Sequence, residues 1–175
     1  RMFAALSSTN EAIMRASGRA ELFDMVCDAT ADGGKFTATF IAMARAGSDV
    51  LGMVAAAGPT AAMTWQARLS SSESSPWGHG ISATAFRSGK PCISHDYLAD
   101  PRGMALHDLY RRLGKRSVAS YPLFSHHQVV GVIGFVSTEL DTFVPEFTDL
   151  LQRLADNISF ALGNFDLADE KAKAE

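Results

Sequence analysis

Two extended runs separated by four polar residues set the strongest constraint on this chain. Ser117 to Phe124 and Val129 to Thr138 flank Ser125-His126-His127-Gln128, and strands joined by so short a turn must run antiparallel. The second run, Val129-Val130-Gly131-Val132-Ile133-Gly134-Phe135-Val136, is dense in β-branched residues, as a central strand is. Its two glycines would let another backbone or a ligand approach closely. An upstream hairpin is predicted from Phe36 to Arg45 and Val50 to Ala57, around Ala46-Gly47-Ser48-Asp49. Weaker strands are expected over Trp65 to Leu69 and Pro91 to Ser94.

Elsewhere the apolar period is helical. Leu6 to Ala16 reads as a short helix with Ser8 or Thr9 as cap and Gly18 as stop. Arg19 to about Ala31 follows, with Leu22, Phe23, Val26 and Cys27 on one face, and Asp32-Gly33-Gly34 ends it. Ser70 to Pro76 is a polar loop, and Gly80 to Ser88 a short helix closed by Gly89. Asp100-Pro101 opens an irregular stretch that turns helical near Leu106 to Leu113. A long helix begins about Val144, with Phe147, Leu150, Leu151, Leu154, Ile158, Leu162 and Phe165 on one stripe. Helices gathered mainly at the two chain ends should cover one face of the antiparallel sheet, an α+β fold.

At 175 residues and 18.7 kDa the chain suits one domain. A net charge of −3 and a pI of about 5.9 supply no basic field, so no nucleic-acid or membrane partner is expected. Cys27 and Cys92 cannot build a disulfide framework or a four-cysteine zinc site. No apolar run reaches the ~18 residues that cross a bilayer, and Arg1-Met2-Phe3 lacks a signal-peptide core. A reducing, cytoplasmic compartment is therefore expected. The helix-forming tail Asp166 to Glu175 has little to bury and is read as a connector, giving a domain over 1–166 and the start of a linker over 167–175.

Taken in order, several segments resemble the GAF domain, a sensor module of signalling proteins. Glu21-Leu22-Phe23 through Val26-Cys27 is similar to the family's second helix. Gly80 through Ala85 to Gly89-Lys90-Pro91 resembles its G-x-x-x-x-A-x-x-x-G-x-P stretch, and Asp96 with Asp100-Pro101 its D-x-x-x-D-P loop. Arg116-Ser117 through Pro122-Leu123, then Val129 to Phe135, resembles the R-S-x-x-x-x-P-L … V-x-G-V-x-x-L hairpin. The likeness spans roughly residues 4 to 165. It implies a six-stranded antiparallel sheet, terminal helices on one face and a ligand pocket on the other. It also implies an output domain in the same chain, of GGDEF, EAL or histidine-kinase type, and in particular a diguanylate cyclase of cyclic di-GMP signalling. A homodimer through the first and last helices is implied too, with Phe3 and Leu6 beside Leu162 and Phe165.

The chemistry-bearing residues divide into weak and stronger candidates. No G-x-S-x-G, P-loop, H-E-x-x-H or C-x-x-C occurs, so no catalytic residue and no metal site is expected. His95-Asp96 and His107-Asp108 look like phosphohydrolase pairs by chance, and His126-His127 reads as solvated turn residues. Some GAF proteins reduce free methionine sulfoxide with several cysteines. Here Cys27 reads as packing and Cys92 stands alone. Cyclic-nucleotide-binding members carry an N-K…F-x-x-x-D-E pattern, of which Phe165 to Glu170 matches only the second half, and the bilin-attachment signature is absent. Trp65, Phe86, Tyr97, Met104, Leu109, Tyr110 and Tyr121 could instead surround a small-molecule pocket with polar edges at Asp96, His107 and Ser117, or fill a second core. Arg111-Arg112 with Lys115-Arg116 is a local positive cluster that could face an anionic ligand, but it reads more readily as a solvated charge run. The resulting expectation is a non-catalytic sensory domain whose ligand and cofactor are not identified. A ligand-free dimerisation module and a sulfoxide-reductase-like enzyme are the alternatives.

Overall fold

The computed structural model describes residues 2–34 and 36–174, with side chains from residue 7 onward. Helices α1 (Met2–Arg15) and α2 (Arg19–Gly34) lead into strands β1 (Ala38–Met43) and β2 (Gly52–Ala57). Two short helices follow, α3 (Ala61–Thr64) and α4 (Ile81–Ser88), then β3 (Cys92–Ser94) and α5 (His107–Arg112). The hairpin β4 (Ser117–Ser125) and β5 (Gln128–Ser137) comes last, before the thirty-residue helix α6 (Pro145–Ala174).

The sheet is antiparallel in the order β2-β1-β5-β4-β3. β5 is central, as its composition requires, and its glycines serve a close approach. A Cβ at Gly134 would strike the Phe40 ring, and one at Gly131 would strike Met43 and the Ala42 carbonyl, all on neighbouring β1. Pro122 lies beyond the part of β4 that β3 pairs, residues 118–120, so its missing donor leaves no gap in that ladder.

Among the described residues the sheet has five strands, not the expected six. Residues 61–67 are wound into helical turns, with Trp65 N–H bonded to Ala61 O and Gln66 N–H to Met63 O. The alanine-rich start favours that winding and removes the strand read over Trp65 to Leu69. What survives is one bridge, Val50 opposite Ser70, so β2 proper starts only at Gly52.

Alternation along the strands separates two cores. Ile41, Ala119, Tyr121, Leu123, Ile133 and Phe135 face α2 and α6, where they meet Leu22, Val26, Leu151, Leu154, Ile158 and Leu162, and α1 packs outside against those two helices. Phe36 stacks on Phe143 at 6.0 Å and touches Phe135 and Phe147. Ala38, Phe40, Ala42, Val118, Val132 and Val136 face the other way, against α4 and the segment between β3 and β4. The terminal helices thus cover one face and the mixed middle of the chain covers the second. Leu162 is buried in its own subunit's core and Phe165 partly so. The side chains of Phe3 and Leu6, invoked beside them for a dimer, lie outside the described residues.

Candidate functional site

The second face is closed by residues 95–114, a lid between β3 and β4 whose fold is written into Asp100-Pro101-Arg102. Asp100 caps the turn by accepting from the Arg102 amide at 3.0 Å, and its carboxylate takes Arg102 Nε and Nη2 at 2.9 and 2.6 Å. The guanidinium holds the Asp100 carboxyl well below the usual carboxylate range. Arg102 also reaches β3, donating to the Ile93 carbonyl and to Cys92 Sγ, each at 3.1 Å. It therefore staples the lid to the sheet. Burial pushes the Cys92 thiol up, and the guanidinium opposes that only in part.

Aromatic rings fill the space beneath. Tyr97 lies 4.5 Å from Tyr110 and edge-on to His107 at 5.2 Å, and its hydroxyl donates to Gly103 O at 3.0 Å. His107 Nε2 lies 2.8 Å from Asp100 O, an acceptor, so that nitrogen carries the proton. Lys115 is 0% exposed. Its Nζ donates to Thr64 Oγ1 at 3.0 Å and stands 4.6 Å over the Tyr110 ring. Burial lowers its pKa from 10.5 to about 8. Ser82 and Ser120 hydroxyls pair at 2.7 Å between α4 and β4. The cavity remaining between the lid and the Ser-rich loop, bounded by Leu69, Trp77, Arg102 and Gly103, is about 10 Å³, too small for more than a water molecule.

The residues expected around a pocket are thus divided. Tyr97, His107 and Tyr110 come together under the lid, with Phe86 and Leu109 packed partly against the same core. Asp96 stands half-buried where the lid begins. Trp65 and Met104 point outward, 47% and 69% exposed. Tyr121 belongs to the helix-side core, its hydroxyl 3.4 Å from Thr148 O. Ser117 shares that side by strand alternation and donates to Glu139 O at 2.6 Å. The sheet separates both from the lid.

Thr64, Arg102 and Gly103 escaped the sequence reading, and Lys115 entered it only as one member of the basic cluster. The solvated charge run is corrected in part: Arg111 and Arg112 are exposed, Arg116 is half-buried and Lys115 is enclosed. The available signal was Gly114, left-handed at φ 70°, which turns the chain inward just before Lys115. Among the described residues no group of three His, Cys, Asp or Glu side chains could hold a metal. None of the described helices is long and apolar enough to cross a membrane. The two thiols sit in the opposite cores, so the sheet keeps them from pairing.

A five-stranded antiparallel sheet with terminal helices on one face and a lid on the other is the arrangement of a known family, and the family model for the GAF domain matches residues 16–163. The chain belongs to the GAF domain family. Among solved structures this GAF domain is similar to the free methionine-R-sulfoxide reductase of Neisseria meningitidis, solved with its substrate. The TM-score is 0.78 at 20% identity, over 95% of this chain and 91% of that one. It is also similar to the GAF domain of an Acinetobacter phosphoenolpyruvate-protein phosphotransferase, with TM-score 0.74 and 12% identity over 97% of each chain. The corresponding domain from Coxiella burnetii gives 0.73 and 16%, over 99% of this chain and 96% of that one. No curated protein sequence matches. At these identities the likeness carries the fold of the GAF domain, shared by an enzyme and by domains of larger proteins.

Proposed function

We propose that this GAF domain is regulatory: the state of its second face biases α6, and α6 passes that bias to an output domain in the same polypeptide. The supporting observation is the position of β4. Its Val118 and Ser120 touch the lid-side core and α4, while Tyr121 and Leu123 face α6. The Phe124 amide bonds to Ser159 Oγ at 3.0 Å, and Ser125 to Asp166, which Arg19 of α2 also grips. One strand therefore lies between the two layers, and a ligand that favours one lid arrangement shifts α6 only through its differential affinity for the two states.

The reading includes a homodimer seated on α6. Phe160 is 72% and Leu167 55% exposed, seven residues apart with Gly163 and Asn164 between them, the spacing of a helical seam. Phe160 stands between a groove of about 510 Å³ beside the hairpin tip and one of about 250 Å³ beside Met14 of α1. A second copy related by a twofold axis can place each Phe160 in the other's groove, a self-complementary contact. Phe160→Lys is expected to turn a dimer into a monomer in sedimentation. A monomeric parent chain would overturn the seam.

Native against denatured mass of the purified domain tests the ligand. Added mass of a few hundred daltons supports regulation by a bound molecule, whereas a clean apo mass favours a dimerisation module without ligand. The sulfoxide-reductase reading draws on the Neisseria likeness. The separation of Cys27 and Cys92 on opposite sides of the sheet stands against it, because one thiol cannot both attack and resolve. Turnover of free methionine-R-sulfoxide that is lost in Cys92→Ser would replace the regulatory reading.

A further inference from the structure

Lys115 is the group on this face that packing alone does not explain. Its ammonium carries three N–H donors, and among the described residues the one hydrogen bond it makes is to Thr64 Oγ1, whose own proton goes to Thr60 O at 2.9 Å. Among the described residues no carboxylate lies within ion-pair distance of it. Lysine is almost never fully buried unless paired. A core that needed only filling would be better served by an apolar side chain of the same volume, because desolvating an unpaired charge is strongly unfavourable. The contrast with Arg102 is direct: that cation, on the same face, is neutralised bidentately by Asp100.

We propose that this face is the closed form of a binding site for a small monocarboxylate, with the Lys115 ammonium as its anchor and the Tyr97 and Tyr110 rings as its walls. This deepens the regulatory reading and rests on it. One ammonium matches a single negative charge, and a phosphate dianion requires further donors. In the closed form the two rings touch each other, centroids 4.5 Å apart, and the faces that part when Tyr110 moves favour a flat apolar body behind the carboxylate. Room for it comes from residues 104–113, which run between Gly103 and Gly114 and are held down at one end by the Tyr97 hydroxyl on Gly103 O. The Tyr110 ring rides on that segment. Lifting it uncovers Lys115 and exchanges the cation–π contact for a carboxylate.

Benzoate is the probe and benzamide its uncharged control, each titrated at millimolar concentration by calorimetry with the melting temperature recorded alongside. Benzoate is expected to bind and raise the melting temperature, and benzamide to do neither. Lys115→Met is expected to fold at least as stably as the parent and to lose benzoate binding by tenfold or more. On the unaltered chain, benzoate affinity is expected to fall by about thirtyfold between pH 7 and 9.5 as the ammonium deprotonates. The groups facing it are the Tyr110 phenol from α5, which burial keeps protonated in that range, and the Thr64 hydroxyl from α3. Equal binding of benzoate and benzamide, unchanged binding in Lys115→Met, or a pH-independent affinity overturns the proposal. So does the absence of any benzoate binding. An uncharged molecule carried by the purified domain, with no benzoate binding, overturns this proposal alone and leaves the regulatory reading standing.

Discussion

Gly103 shows how finely single residues set the lid. The Tyr97 phenol occupies the place where a Cβ at residue 103 would stand, while its hydroxyl is tied to the carbonyl of the same glycine. Gly103→Ala is therefore expected to cost about 1–3 kcal/mol by overpacking, read as a lower urea midpoint. An unchanged midpoint would mean that the ring swings away freely. Arg102→Ala should unpin the lid from β3 and speed alkylation of Cys92, whose thiol is now nearly enclosed and contacted by the guanidinium. Equal labelling rates would show that the staple does not control access. Neither residue was legible as a contact in the sequence. A D-P-R run announces a capped turn, but not the strand its arginine will reach. The enclosure of Lys115 was not legible for a related reason. A cluster of basic residues looks solvated when read linearly, and only the left-handed turn at Gly114 separates the inward lysine from its outward neighbours.

At the level of elements, the β4–β5 hairpin carries a mismatch between turn and sequence. His126 and His127 both sit at positive φ, 52° and 65°, as both central residues of a two-residue type I′ turn must. Asn-Gly suits that conformation far better. The double change His126→Asn, His127→Gly is expected to raise stability by about 0.5–1 kcal/mol, measured by urea denaturation. The His126–Glu170 approach of 3.6 Å that it removes is exposed on both sides and worth little. A loss of stability would instead assign the histidines a role in holding α6. This hairpin and α6 were the most legible parts of the chain, because each repeats a strong period over many residues. Trp65 to Leu69 was not. Its five residues carry no clear period, and the preceding Ala61-Ala62-Met63 run imposed its helical preference on them.

For the whole molecule, burial of ionisable groups shapes the dependence of stability on pH. Lys115 releases its proton near pH 8 in the fold but at 10.5 when unfolded. The unfolded chain therefore binds more protons between these values, and stability rises with pH there. Cys27, Cys92, Tyr97, Tyr110 and Tyr121 act oppositely: burial raises each, so ionisation of the unfolded chain near 9.0 for thiols and 10.0 for phenols favours unfolding. Stability is expected to climb from pH 8 to about 9 and decline above, and the climb should vanish in Lys115→Met. Superimposable profiles would remove Lys115 from the account. The strand order has a consequence of a different kind. β1 lies between β2 and β5, and its partners on β5 follow about ninety residues later in the chain. At synthesis rates of roughly 5–20 residues per second, β1 waits some 5–20 s outside the ribosome with one edge unpaired. The middle of the chain, including the lid, emerges during that wait, so a nascent domain has its lid before it has a complete sheet to close.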